Sequence, residues 1–210
     1  MPKDWPALLI GLIVAAYWGR VIRLVIKTRK KTGKAGNFFP PEPLGRLLRV
    51  VWYPTVLLWI AQPLYNAWNP GLVNALRNLY HQPIVQFAAV AVAAVAFGLT
   101  LVCWKRMGKS WRMGIDPNEK TQLIVSGPYA YVRHPIYALS SVMMIASAIA
   151  VPTPLMFVLA AIHLTFLQWE AHREEQHLLR VHGEVYGRYL ASVGRMMPRS
   201  LRSATPTPQA

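Results

Sequence analysis

Residues 86–104 read QFAAVAVAAVAFGLTLVCW, nineteen in a row without a charge. About 20 such residues cross the roughly 30 Å hydrocarbon layer of a bilayer, so the stretch predicts a membrane-spanning helix. Including it, five apolar runs reach or approach that length, at residues 6–26, 47–64, 84–104, 136–151 and 153–169. Hydrocarbon offers no hydrogen-bond partner to a bare backbone, and a helix satisfies its own polar groups. The expected fold class is therefore an all-α integral membrane protein. It has about five transmembrane helices and a cytoplasmic C-terminal amphipathic helix. The last two runs are joined by Val151-Pro-Thr-Pro154 and predict a tight helical hairpin. Trp5, Trp52, Trp68, Trp104 and Trp169 lie near predicted span ends, where an aromatic belt would place them.

Charge sets the orientation. Only 15% of residues are charged, against 54% hydrophobic, yet the formal net charge is +15. The two facts agree if the cations are confined to a few loops. Twenty-one of the 23 Lys and Arg flank the first loop, the third loop or the tail after the last span. Only Lys3 and Arg77 fall on the other side. By the positive-inside rule the N-terminus is outside and the C-terminus cytoplasmic. Anionic headgroups of the inner leaflet are the natural partner of these cations. They are dispersed along membrane boundaries with no nucleic-acid fold signature, which argues against nucleic acid. Cys103 stands alone, so no intrachain disulfide or cysteine metal cluster can form, and a buried thiol is expected. No metal site is expected. One membrane domain spans residues 1–198, with its motif-bearing half at 105–198 and a disordered Ser/Thr/Pro-rich tail at 199–210. Residues 37–43, rich in proline, read as an extended connector.

Polar residues of both signs gather at 105–137 and 170–198. The first region contains SWRMGI at 110–115 and LIVSGPYAYVRHPIY at 123–137. Gly127-Pro128 predicts a turn. Pro135 suits the first turn of a helix, so Arg133 and His134 stand beside a helix N-terminus that favours anionic groups. In the second region Glu170 and Glu174 share a helix face, with Glu175 next to them. Leu178, Val181, Val185, Tyr189 and Val193 form an apolar stripe suited to the membrane surface. Taken together, Arg and His on one side and carboxylates on the other suit a zwitterionic ligand with a cationic centre, such as S-adenosylmethionine. A phosphate-bearing cofactor suits the Arg and His nearly as well, although neither a Gly-rich dinucleotide fingerprint nor a P-loop is present.

The string Gly127-Pro-Tyr-x-x-Val-Arg-His-Pro-x-Tyr137 is followed by Glu174-Glu-x-x-Leu178, Gly183-x-x-Tyr186-x-x-Tyr189 and Val193-x-Arg195-x-x-Pro198. Together these motifs resemble the isoprenylcysteine carboxyl methyltransferase family, to which phospholipid methyltransferases are related. The resemblance covers residues 105–198. It implies S-adenosylmethionine as cofactor, with Gln122, Val125, Gly127, Tyr129, His134, Pro135 and Tyr137 lining its site. Glu174 and Glu175 would close that site, while Arg133 and Arg195 would be polar partners of cofactor or substrate. Arg133, Glu174 and Arg195 are accordingly the catalytic candidates. The implied acceptor is lipid-like or prenylated. Two positions depart from the family's pattern: Leu139 stands where a Gly is common, and His182 precedes Gly183 where a Phe is common.

A sulfonium methyl is already activated, so the chemistry chiefly requires alignment of a nucleophile. A carboxylate acceptor needs no base, whereas an amine or thiol does, for which His134 and Glu174 are candidates. His163 lies inside the fifth run, and a neutral, hydrogen-bonded role is expected for it. Two rival readings are an NADPH-dependent reductase of sterol-like double bonds and a transporter or scaffold. The twin glutamates with the Gly-x-x-Tyr-x-x-Tyr tail argue against the reductase. Internal repeats and broken helices, the usual marks of transporters, are lacking in the sequence. The sequence leaves the oligomeric state open.

Overall fold

The computed structural model describes residues 1–32, 43–70, 82–108, 111 and 123–200, the side chains of 31 and 32 excepted. The connector at 37–42, Gln122, most of the SWRMGI segment and the tail from 201 onward lie outside the described residues. Among the described residues the body is five α-helices: α1 (Trp5–Thr32), α2 (Pro43–Trp68), α3 (Pro83–Met107), α4 (Pro135–Ala150) and α5 (Pro154–Ser192). A short 3-10 turn occupies Gly127–Ala130. There is no strand among the described residues, only an isolated parallel bridge between Val132 and Gly194.

Four of the helices are long and apolar enough to cross a membrane, and α4 is a shorter apolar helix of 16 residues. At 1.5 Å per residue α4 covers about 24 Å, less than the expected fifth full span. Ile84, Phe87, Val95, Leu99 and Val102 of α3 all point outward and exposed. Apolar side chains facing away from a core mark a lipid-facing surface. The chain is an all-α integral membrane protein.

Between helices in lipid, close packing and hydrogen bonds take over from the hydrophobic effect. The most extensive contact, α3 against α4, follows that rule. Ala89, Ala93, Ala96 and Thr100 place small groups on the buried face of α3. Met143, Met144 and Ser147 of α4 are buried on its inner side. Polar pairs pin the centre: Trp59 Nε1–H donates to Ser147 Oγ at 2.9 Å. Trp52 Nε1–H donates to His163 Nδ1 at 3.2 Å, and Ser140 Oγ lies 3.0 Å from His163 Nε2. An indole can only donate, so Nδ1 accepts and the ring is neutral with its proton on Nε2. His163, fully buried, therefore has the neutral hydrogen-bonded role expected of it. Cys103 is buried, as expected of a lone thiol in an apolar run.

Two sequence expectations change here. Trp52 and Trp104 turn inward and are buried, so the belt arrangement holds at most for the exposed Trp5 and Trp68 and the half-buried Trp169. The fifth span and the amphipathic segment are one helix, capped at its start by the Thr153 hydroxyl accepting from Met156 N–H at 3.0 Å. That helix is broken at Gly183, whose φ of 53° and ψ of −130° are not helical. Glycine adopts such a backbone without the penalty a Cβ would bring. Beyond the break, Tyr186, Tyr189 and Val193 are buried against Leu123, Val125 and Leu190, while Val185 of the expected stripe is 53% exposed. The buried face thus packs on the segment that precedes α4; it keeps Leu178, Tyr189 and Val193 of the expected stripe and puts Tyr186 in the place of Val185.

Candidate active site

Two sequence-distant segments meet at one end of the helix bundle. Residues 132–134, leading into α4, run alongside residues 193–195, which leave α5. Arg133 N–H donates to Gly194 O at 2.8 Å and His134 N–H to Arg195 O at 3.0 Å. Gly194 permits the turn that follows it, because a Cβ there would stand 1.9 Å from Met197 O. Tyr189 adds a third tie, its hydroxyl donating to Tyr129 O at 2.6 Å.

Glu175 occupies the centre of the junction and is 3% exposed. Arg133 donates to its Oε1 from Nε at 2.9 Å, and Nη2 lies 2.8 Å from the same oxygen. Arg195 reaches Oε2 from Nη2 at 2.7 Å and both oxygens from Nε at 3.1 Å. His134 Nε2 stands 3.4 Å from Oε1. The remaining donor arm of Arg133, Nη1, is held by Leu190 O at 2.9 Å and by Val193 O. Short charge-assisted bonds of this kind are about twice as strong as neutral ones. The Glu175 carboxylate raises the Arg195 guanidinium above the ordinary arginine range, so it remains a cation at any pH the protein meets.

One residue earlier on α5, Glu174 is a different group. Its side chain is 26% exposed and among the described residues carries only looser contacts: Tyr137 OH donates at 3.2 Å, and His134 Nδ1 lies 3.6 Å away. His134 and Tyr137 stack with an interplanar angle of 2° and centroids 5.4 Å apart. Around them are buried polar atoms that have no hydrogen-bond partner among the described residues: Tyr129 OH and Tyr186 OH. The charge of Glu174 acts on both tyrosine hydroxyls. Burial, with that charge adding to it, pushes Tyr129 far above the usual tyrosine range, so its hydroxyl stays a neutral donor and acceptor. Unmet buried polar groups cost free energy, and here they cluster beside a partly open carboxylate. The arrangement can take a ligand that offers both donors and acceptors.

The expected constellation comes together in large part. Arg133, His134 and Tyr137 meet Glu174, Glu175 and Arg195 at one place, with Tyr129 beside them. Pro135 begins α4 and Gly127 begins the 3-10 turn with φ of 65°, so both shape the backbone there. Val125 packs under Tyr186 and Tyr189. Gln122 lies outside the described residues. Arg133 and Arg195 turn their donors to Glu175 rather than to open space.

A neighbouring feature was missed in the sequence. A cavity of about 80 Å³ is lined by Tyr17, Trp18, Arg49, Trp104, Trp111 and Glu170 among others, and by Tyr137. Arg49 is one of the cations assigned to the first loop, although it falls within the apolar run 47–64, where an ionisable group is a signal of function. Glu170 lies one helical turn before Glu174, which is the other available signal.

No curated protein and no solved structure matches the chain. The model of the phospholipid methyltransferase family matches residues 84–185, from the start of α3 through the twin glutamates. Over these residues the chain is similar to the phospholipid methyltransferase family, which also holds the isoprenylcysteine carboxyl methyltransferases and whose members are membrane methyltransferases for lipid-like substrates.

Proposed function

We propose that the protein transfers the methyl group of S-adenosylmethionine to a lipid-like acceptor at the cytoplasmic membrane face, in the manner of carboxyl O-methylation of an isoprenylcysteine-like acid. The observation that carries this reading is the junction of His134, Tyr137 and Glu174, with buried tyrosine hydroxyls left open around a partly exposed carboxylate. That donor and acceptor set fits the cofactor. Glu174 would accept from its ammonium or ribose hydroxyls, and Tyr129 and Tyr186 would supply hydroxyls to its polar edges. The stacked rings of His134 and Tyr137 offer a flat wall. When bound, the cofactor supplies a methyl already activated on a sulfonium. The acceptor's electron pair makes the new bond to carbon, and the broken bond's pair stays on sulfur.

Within this reading Arg133 and Arg195 act through Glu175, fixing where the α5 carboxylates stand relative to His134. Val125, Gly127 and Pro135 belong to the wall of the same site. The cation distribution of the sequence puts the N-terminus outside and the C-terminus in the cytoplasm. It also gives the loops an attraction for anionic inner-leaflet lipid.

A test is methyl transfer from isotope-labelled S-adenosylmethionine by the purified chain in lipid, with label followed into the lipid fraction. Label in a base-labile ester is the expected result. No transfer, together with binding of NADPH, would support the reductase instead. For orientation, a reporter fused after Ala210 should be active in the cytoplasm, and activity on the opposite side would reverse the topology.

A further inference from the structure

A second buried arginine stands beside the cradle. Arg49, in the second turn of α2, is 5% exposed and lines the small aromatic cavity. Its guanidinium carbon is 4.9 Å from the Trp52 ring centre and 5.2 Å from that of Phe166. Ring contacts of this kind hold the guanidinium through its π face and leave its N–H edges to find polar partners. One Nη reaches Glu170 Oε1 at 3.5 Å, long beside the 2.7–2.9 Å typical of a charge-assisted bond. Nε has no hydrogen-bond partner among the described residues. Glu170 is shared, since Arg173 Nη1 lies 3.4 Å from its other oxygen.

A buried donor without a partner is costly, and a guanidinium edge matches the two oxygens of a carboxylate. An amine or ammonium head would set its own N–H groups against that donor. We propose that Arg49 binds the head group of the methyl acceptor and makes this chain select a long-chain carboxylic acid over a lipid amine. The proposal rests on the methyltransferase reading above and names the acceptor class for that site. Tyr137 links the two places, since it lines the cavity while its hydroxyl donates to Glu174. A cavity of about 80 Å³ holds a head group of a few atoms. The hydrocarbon chain has a path outward, because the wider groove between α1 and α3 shares Trp104 and Trp111 with the cavity. Ala15, Ala16 and Gly19 give that groove a low floor. A carboxylate held by one oxygen presents the other as nucleophile; that oxygen's electron pair forms the bond to the methyl carbon while the sulfonium bond's pair stays on sulfur, so no base is needed and no proton is released.

The test is binding of dodecanoate and of dodecylamine to the full chain in nanodiscs without cofactor, corrected for partition into empty discs. S-adenosylmethionine affinity is measured in parallel. Arg49→Lys keeps a cation beside Glu170 but removes the guanidinium edge. It should weaken dodecanoate binding at least tenfold and leave S-adenosylmethionine affinity within twofold. The paired change Arg49→Leu with Glu170→Leu removes both charges together and should also lose dodecanoate, with an unchanged unfolding midpoint. Equal dodecanoate affinity in wild type and Arg49→Lys, or tighter binding of dodecylamine than of dodecanoate by the wild type, overturns the proposal. If Arg49-dependent dodecanoate binding is found without any binding of S-adenosylmethionine, the acid site stands and the methyltransferase reading falls.

Discussion

Arg133 and Arg49 are both buried arginines at helix starts, and each meets a glutamate of α5, yet they are satisfied to very different degrees. Arg133 has short contacts from every arm, to Glu175 and to two backbone carbonyls, and Arg195 completes the set from the other side. Arg49 has one long contact to a glutamate that also serves Arg173, and an Nε with no partner among the described residues. The same contrast separates the adjacent carboxylates Glu175 and Glu174. A fully met buried charge defines architecture, because any movement breaks several bonds together. A partly met one has donor or acceptor capacity left for a ligand. Sequence alone treats Arg133, Arg195, Glu174 and Glu175 as one group of polar site residues, whereas the geometry divides them into a clamp and a cradle.

The largest effect should come from breaking the clamp. Removing one partner of a buried ion pair costs about 3–5 kcal/mol. At 2–4 °C per kcal/mol for a chain of this size, Glu175→Gln should lower the unfolding midpoint by roughly 6–20 °C. Scanning fluorimetry in detergent reads this directly, and an unshifted midpoint would deny Glu175 its role. Next comes Gly194→Ala, whose Cβ would collide with Met197 O and distort the turn at 194–197, from which Gly194 O and Arg195 O accept the bonds of Arg133 and His134. Overpacking of this kind costs roughly 1–3 kcal/mol, and exchange protection of the Arg133 and His134 amides should fall with it. Tyr189→Phe removes the bond to Tyr129 O and should cost about 1 kcal/mol. The smallest effect on stability belongs to the unsaturated pair. Arg49→Leu with Glu170→Leu should leave the midpoint within about 1 kcal/mol of wild type or slightly raise it, as hydrophobic replacement of a buried pair often does. A loss matching that of Glu175→Gln would erase the contrast.

Much of the fold was legible because its causes are local. The apolar runs give the helices, Pro135 and Gly127-Pro128 give the α4 start and the turn before it, and the cations gather at the run ends. The meeting of the Arg-His segment with the twin glutamates was legible through motif spacing. Division of labour within that cluster was not, since which arginine donates to which carboxylate depends on the parallel contact between Val132 and Gly194, far apart in sequence. Gly183 illustrates a second limit. A helical pattern continued through it, and only the packing of Tyr186 and Tyr189 on Leu123 and Val125 shows why the chain turns there. Trp52 and Trp104 were placed by a rule about membrane boundaries, but a cavity next to α4 draws them inward.

The contrast between clamp and cradle is tested most directly by titrating S-adenosylmethionine into wild type and Glu174→Gln by calorimetry, with unfolding midpoints recorded alongside. Loss of one charged acceptor is worth about 1.5–3 kcal/mol, so the affinity of Glu174→Gln should fall roughly 10- to 100-fold while its midpoint stays near that of wild type. Equal affinity in the two proteins, or a collapse of stability in Glu174→Gln like that expected for Glu175→Gln, would contradict the assignment of Glu174 to the ligand and Glu175 to the fold.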